Sequence, residues 1–336
     1  MIKEASFWRK EEEGKVRCLL CPHQCLIPEG GRGRCKVREN RGGRLFTLIY
    51  GSASSVAIDP IEKKPLYHFY PGSYALSFGT AGCNLSCKHC QNHTISMARP
   101  EDIYLREFEV DEPALLAKRH GCKSISWTYN EPTIWHEFTV DASRIAKREG
   151  ICVTYVSNGY INEDPLKEIG KYLDAINIDV KAFSDSFYRE VSGGHLEPVL
   201  NTCRLVKELR IHLEVTYLII PTKNDSMDEI GKFCDWVIDE LGEDTPIHFT
   251  RFFPHYKMTD LPPTPFDTLS EAFNLAKGKG LKYVYIGNVV HGDYDNTYCP
   301  SCGNLLIERY GFSSVIKGLK RDRCSNCGER INIIVD

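Results

Sequence analysis

The chain has 336 residues, 42% hydrophobic and 26% charged, with a net charge of −3. That length suits one large domain with small attachments, and the composition is that of a globular protein rather than a disordered one. The slight negative charge argues against a broad nucleic-acid footprint. No apolar run approaches the ~20 residues that span a bilayer, and the N-terminus lacks an apolar signal core. The expectation is a cytoplasmic protein with no membrane partner. There, fifteen cysteines stay reduced and read as metal ligands or packing groups, not as a disulfide framework.

In chain order, the first feature is Cys18-Leu-Leu-Cys21-Pro-His-Gln-Cys25, followed by Gly30, Gly31, Gly33 and then Cys35. The glycines let the backbone turn and return Cys35 to the other three. Two fillings suit these thiols, zinc or an auxiliary iron–sulfur cluster. His23 can stand in for one ligand, and some thiols can remain without metal. Next, Asp59-Pro-Ile-Glu-Lys-Lys-Pro-Leu-Tyr-His-Phe69 is a distinctive stretch.

Apolar runs then alternate with helical periodicity. Strands are predicted at 74–78, 124–129, 152–157, 175–180, 212–220, 247–253 and 283–286. Helices are predicted at 112–120, 133–149, 165–171, 199–208, 227–241 and 269–279. Strand then helix, repeated about six times, implies right-handed crossovers and a parallel sheet with chemistry at the strand ends.

The loop after the first of these strands reads Gly79-Thr-Ala-Gly-Cys83-Asn-Leu-Ser-Cys87-Lys-His-Cys90. Three thiolates can hold three irons of a four-iron cluster and leave the fourth open. Cys122, Cys152, Cys203 and Cys234 fall inside predicted strands or helices and read as small buried apolar groups. The chain closes with Cys299-Pro-Ser-Cys302-Gly and Cys324-Ser-Asn-Cys327-Gly, two knuckles about twenty residues apart. Four thiolates so spaced favour tetrahedral zinc, with a rubredoxin-like iron as the alternative. Arg309, Lys317, Lys320, Arg321, Arg323 and Arg330 make this ribbon basic, which reads either as a solvated face or as a nucleic-acid contact.

The triad, with His89 before its last cysteine, resembles the motif of the radical S-adenosylmethionine superfamily. The resemblance implies an α/β fold, a partial (β/α)6 TIM-like barrel of the radical SAM type, with small N- and C-terminal Cys-rich metal-binding extensions. The expected division is residues 1–70, 71–293 and 294–336. It also implies a [4Fe-4S] cluster on Cys83, Cys87 and Cys90, whose open iron chelates the amino and carboxylate groups of S-adenosylmethionine. One electron then cleaves the cofactor to a 5'-deoxyadenosyl radical that abstracts hydrogen from a substrate.

Further matches lie at the strand ends. Trp127-Thr-Tyr-Asn-Glu131-Pro resembles the superfamily's Gly-Gly-Glu element, with Tyr129 and Asn130 in place of the glycines. Ser157 and Asn158 resemble a polar pair that contacts the ribose and carboxylate. Asp179 and Lys181 resemble a pair, and His255 a histidine, that contact the cofactor in glycyl radical activating enzymes. The Cys18–Cys35 and Asp59–Phe69 blocks resemble the AmmeMemoRadiSam system radical SAM enzymes, a subgroup similar to pyruvate formate-lyase activating enzymes.

Two departures are present. Thr216 stands before Tyr217 where activases carry arginine, and the extra cysteines flank the core instead of following the triad. The expectation is an activating-enzyme-like oxidoreductase acting on a protein or small-molecule substrate, with a donor such as ferredoxin or flavodoxin. The rivals are RNA modification with the ribbon as docking module, and electron transfer without a substrate.

Overall fold

Residues 1–289 and 292–335 are described by the computed structural model. Eight strands form the central sheet. They are β1 (Ser55–Pro60), β2 (Tyr74–Gly79), β3 (Ser124–Trp127), β4 (Cys152–Ser157), β5 (Ala175–Asp179), β6 (His212–Ile219), β7 (Ile247–Arg251) and β8 (Val284–Gly287). They lie side by side in sequence order. β1 runs antiparallel to β2, and every later neighbour is parallel.

The crossovers carry α1 (Glu112–Arg119), α2 (His136–Arg148), α3 (Glu163–Gly170), α4 (Leu196–Glu208), α5 (Met227–Trp236) and α6 (Phe266–Lys279). These six strand–helix units and a last parallel strand are the expected partial barrel. Among the described residues β1 and β8 do not pair, so the barrel is open on that side.

Alternation along β6 shows how the sheet divides its faces. Leu213, Val215, Tyr217 and Ile219 join the main apolar core with the helices. His212, Glu214 and Thr216 point the other way and are also buried. The barrel interior is therefore polar, and it must be satisfied internally.

The segment from Asp59 to Phe69 does this. The Glu214 carboxylate accepts hydrogen bonds from the backbone N–H of Tyr67 (3.0 Å) and His68 (2.7 Å), and the Nε2 atoms of His212 and His248 lie 3.0 and 2.7 Å from it. Asn177 Nδ2 donates to the Pro65 carbonyl at 2.8 Å. So the distinctive stretch of the sequence threads the interior.

The C-terminal ribbon closes the open side. Its strands Leu305–Tyr310 and Ser313–Ile316 pair antiparallel. Leu306, Ile307 and Ile333 share one apolar cluster with Tyr67, Tyr283 and Tyr285. Arg309, expected on a solvated or nucleic-acid-facing surface, is instead 5% exposed. It donates to the carbonyls of Tyr67 (2.7 Å) and Asp295 (2.8 Å) and stacks 4.3 Å over the Tyr67 ring. Its desolvation is offset by these acceptors and by Glu62 at 4.0 Å. The other basic residues named above are exposed.

Residues 3–47 form two small antiparallel sheets over a core of Val16, Cys18, Leu20, Ile27 and Leu45. A buried bidentate pair, Arg38 Nη2 to both Glu137 oxygens at 2.8 and 2.6 Å, ties them to α2. The segment expected to run as an extension to residue 70 thus also supplies β1 to the central sheet.

Candidate cofactor site

β2 ends at Gly79, and the loop beyond it carries Cys83, Cys87 and Cys90. Gly82 has φ +87°, and a Cβ there would lie 2.5 Å from the Cys35 carbonyl oxygen, so only glycine fits. Asn130 pins the loop, its Oδ1 accepting from Thr80 N (3.1 Å) and its Nδ2 donating to Gly82 O (2.7 Å). The amides of Ser86 and Lys88 donate to Ser192 O and Val191 O. The loop is thus held in place from two sides.

All three cysteines line one cavity of about 530 Å³, together with Glu131, Ser157, Asn158, Asp179 and Lys181. That size is ordinary for a cofactor-sized ligand. Burial pushes the Cys83 and Cys87 thiols above their usual pKa, so a metal must displace their protons on binding.

Glu131 is fully buried. It accepts from Thr133 N (2.9 Å), Ser157 Oγ (2.8 Å) and Asn158 N (2.8 Å). Burial raises its pKa against the pull of these donors. Asn158 Nδ2 reaches Asn84 Oδ1 at 2.9 Å and lies 3.7 Å from Cys83 Sγ. The ends of β3 and β4 are thereby wired to the triad.

On the far side, Lys181 Nζ donates to Asp179 Oδ2 at 3.1 Å. Burial opposes the ammonium charge, but Asp179 and then the Cys87 thiol hold its pKa above the usual lysine value. His89, before the last cysteine, is buried and held neutral, its pKa pushed down to about 3 by burial and then by Lys181. Its Nδ1 has no hydrogen-bond partner among the described residues.

His255 is not brought to this cavity. It is exposed, beyond the end of β7, in a turn where its N–H donates to Met258 O at 3.2 Å. The same turn approaches the triad loop through other residues. Tyr256 stacks on His93 at 4.7 Å, and Lys257 N donates to Lys88 O at 2.9 Å.

Sequence reasoning missed Lys64, which lines the cavity at 2% exposure. Its Nζ donates to Asp59 Oδ2 at 2.6 Å and sits 4.5 Å over the Tyr129 ring, whose hydroxyl donates to the same oxygen at 2.5 Å. Burial brings the Lys64 pKa down to about 8 against the pull of Asp59. The available signal was the density of charge in Asp59–Lys64, where β1 ends. Phe312, from the ribbon's hairpin turn, also lines the cavity.

The two flanking cysteine groups differ. In the ribbon, Cys299 and Cys327 lie 3.6 Å apart and Cys302 and Cys324 3.7 Å apart, sulfur to sulfur. Each knuckle closes with a glycine N–H donated to the first cysteine's carbonyl, at φ +71° for Gly303 and +80° for Gly328. Cys18, Cys21, Cys25 and Cys35 line one small pocket. Cys203 and Cys234 are buried and Cys152 half-buried within the core elements, and Cys122 is buried between α1 and β3.

A fold of this kind with a three-thiol cavity at its strand ends has known relatives. The family model described as the radical SAM superfamily matches residues 78–237. An uncharacterized protein of Methanocaldococcus jannaschii is 50% identical over 336 residues, covering 99% of this chain and all of that one. A pyruvate formate-lyase-activating enzyme of Clostridium pasteurianum is 25% identical over 158 residues, 46% of this chain and 65% of that protein. The crystal structure of a radical SAM methyltransferase from Sphaerobacter thermophilus shares the fold, with a TM-score of 0.52 and 13% identity over 90% of this chain and 81% of that one. Residues 78–237 of this chain are a radical SAM superfamily domain. Among the described residues no helix is long and apolar enough to cross a membrane.

Proposed function

We propose that this protein reductively cleaves S-adenosylmethionine and uses the resulting radical to take hydrogen from a substrate. The observation that carries the reading is the single cavity lined at once by Cys83, Cys87, Cys90 and the polar strand ends. The donor set fits the implied groups. Three thiols, Cys87 buried and Cys83 and Cys90 half-buried, supply three of a cluster's four ligands, and the space beside them is lined by a carboxylate, an ammonium, a hydroxyl and an amide. When bound there, the [4Fe-4S] cluster supplies one electron and S-adenosylmethionine supplies the radical.

The chain's own residues do the rest. Cys83, Cys87 and Cys90 hold the cluster. Glu131 accepts from Ser157 and fixes the turn that presents Asn158. Asp179 and Lys181 offer an acceptor and a cation to an amino acid group. Lys64 and Tyr129 close the opposite wall. Such positioning confines a reactive radical to one hydrogen. His255 has no part in it.

Several finer statements support one another. The Cys18–Cys35 and Asp59–Phe69 blocks favour the AmmeMemoRadiSam subgroup. The resemblance to glycyl radical activating enzymes makes a protein glycine the first substrate to test, with activity of the oxidoreductase class. A low-potential donor of the ferredoxin or flavodoxin type is required as electron source. The ribbon suits one tetrahedral ion, since a metal–sulfur bond of about 2.3 Å puts tetrahedral sulfurs about 3.8 Å apart, close to the 3.6 and 3.7 Å observed, and the paired knuckles favour zinc over a rubredoxin-like iron.

The test is electron paramagnetic resonance of the reduced, anaerobically reconstituted protein. A signal that shifts when S-adenosylmethionine is added supports direct chelation at the open iron. An unchanged signal would reduce the protein to an electron carrier and overturn the reading.

A further inference from the structure

We propose that Cys18, Cys21, Cys25 and Cys35 hold a second four-iron cluster, with a thiolate on every iron. The inference rests on reading the central triad as a cluster site, and it concerns a different set of ligands.

The first observation is convergence. The four thiols come from a strand end, a turn and a glycine-bent loop, yet they line one small, closed pocket. Three of them are buried and Cys25 is half-buried. A hydrophobic wall of Leu20, Ile27 and Ile134 surrounds them.

The second observation is spacing, for which the molecule carries its own standard. Among the described residues, the ribbon cysteines are the one set of three or more possible ligands whose atoms all lie within 4.8 Å of one another. That is the closeness one ion demands. The N-terminal four do not close to it, and neither do Cys83, Cys87 and Cys90. Thiolates on a four-iron cluster each take a different iron and therefore stand farther apart than thiolates sharing one ion. Among the described residues, neither the N-terminal group nor the triad reaches the tight spacing of the ribbon.

The third observation is the polar lining. Arg38 reaches the pocket with its guanidinium near Cys18 and Cys35. Glu137 takes its Nη2, while Nε has no partner among the described residues. The Arg34 amide donates to Cys25 Sγ at 3.4 Å. Donors to cluster sulfur are a standard means of stabilising such centres.

The pocket also lies directly behind the triad loop. His23 Nε2 is 2.7 Å from the Asn84 carbonyl oxygen, and Cys35 occupies the space a Gly82 side chain would need. With every iron capped, the second centre has no open position for S-adenosylmethionine.

The deciding experiment uses the full chain with Cys83, Cys87 and Cys90 all changed to alanine, reconstituted anaerobically with ferrous iron and sulfide. The proposal expects about four irons and four sulfides per chain, visible absorbance that dithionite bleaches, and a resonance signal that S-adenosylmethionine does not move. Changing Cys21 and Cys35 to alanine instead should remove those irons and keep the signal that responds to S-adenosylmethionine. If that variant fails to fold, the triad variant still decides, because its N-terminal site is intact. A triad variant that takes up no iron, or carries a second zinc in its place, overturns the proposal. Failure of the radical reading looks different. The wild-type protein would then hold its iron but show no response to S-adenosylmethionine.

Discussion

The chain carries two groups of four cysteines, one at each end, and they are built to different rules. The C-terminal four bring sulfurs to 3.6 and 3.7 Å on tight glycine-closed knuckles, with Cys302 and Cys327 exposed. The N-terminal four sit around a mostly buried, apolar-walled pocket and keep their distance. Similar composition thus takes two geometries, a tight one of the kind a single ion needs and one that does not close to that spacing. Ligand count does not separate zinc from a cluster. The room between ligands does.

Cys87→Ala should reduce S-adenosylmethionine cleavage to background while leaving the ribbon's zinc in place, as counted by elemental analysis. Exposure to air should bleach most of the visible absorbance and release iron, with about one zinc per chain retained. Parallel loss of zinc and iron would mean that the two ends are not different in kind.

Gly82→Ala should lower iron at both the triad and the N-terminal site several-fold, because its Cβ would meet Cys35 O at 2.5 Å in a φ +87° backbone. The ribbon itself offers an internal contrast. Arg309→Ala should cost about 3–5 kcal/mol, since it strips a buried charge from Glu62 and two carbonyls. Exposed Arg330→Ala should change stability by less than about 0.5 kcal/mol. Urea unfolding of both variants measures the difference, and equal effects would contradict the ribbon's place in the barrel wall.

A smaller effect than loss of Arg309 is acid sensitivity of the ribbon–barrel joint. Burial pushes His68, held between Asn332 O and Tyr285, down to a pKa of about 3. Between that value and about 6.5 the unfolded chain binds the extra proton, so stability is full above pH 6.5 and falls as pH drops. At pH 5 the loss from this group is roughly 2 kcal/mol. Glu214 adds to it at lower pH. Burial alone would raise its pKa, but bonds from His212 and His248 hold it below the usual range, so its contribution disappears once acid protonates the folded carboxylate. Unfolding midpoints between pH 7 and pH 4.5 check the sign.

Much of this architecture was legible in the sequence. The seven parallel strands begin within a residue of the expected positions and end within two, because short segments with apolar residues facing the helices at alternate positions are bounded by turn signals. The triad, Glu131, Ser157, Asn158, Asp179 and Lys181 were legible because their motifs sit at strand ends, and the structure gathers all of them into one cavity.

What escaped depends on contacts between distant segments. Glu214 satisfying Tyr67 and His68, about 147 residues away, leaves no local pattern. Nor does Arg309 folding onto Tyr67, which turned an expected surface charge into part of the core. His255 failed for the opposite reason. Its neighbours matched a motif, but Pro254 ends the run and the turn aims Tyr256 and Lys257, not the histidine, at the triad loop.

The central claim is that the open iron at Cys83, Cys87 and Cys90 makes a radical from S-adenosylmethionine. Its most direct test is 5'-deoxyadenosine formed by the anaerobically reconstituted chain under dithionite, beside a Cys83→Ala variant treated identically. The account predicts time-dependent product from the wild type and none above background from the variant. Equal product from both, or none from a wild type with a full complement of iron, would contradict it.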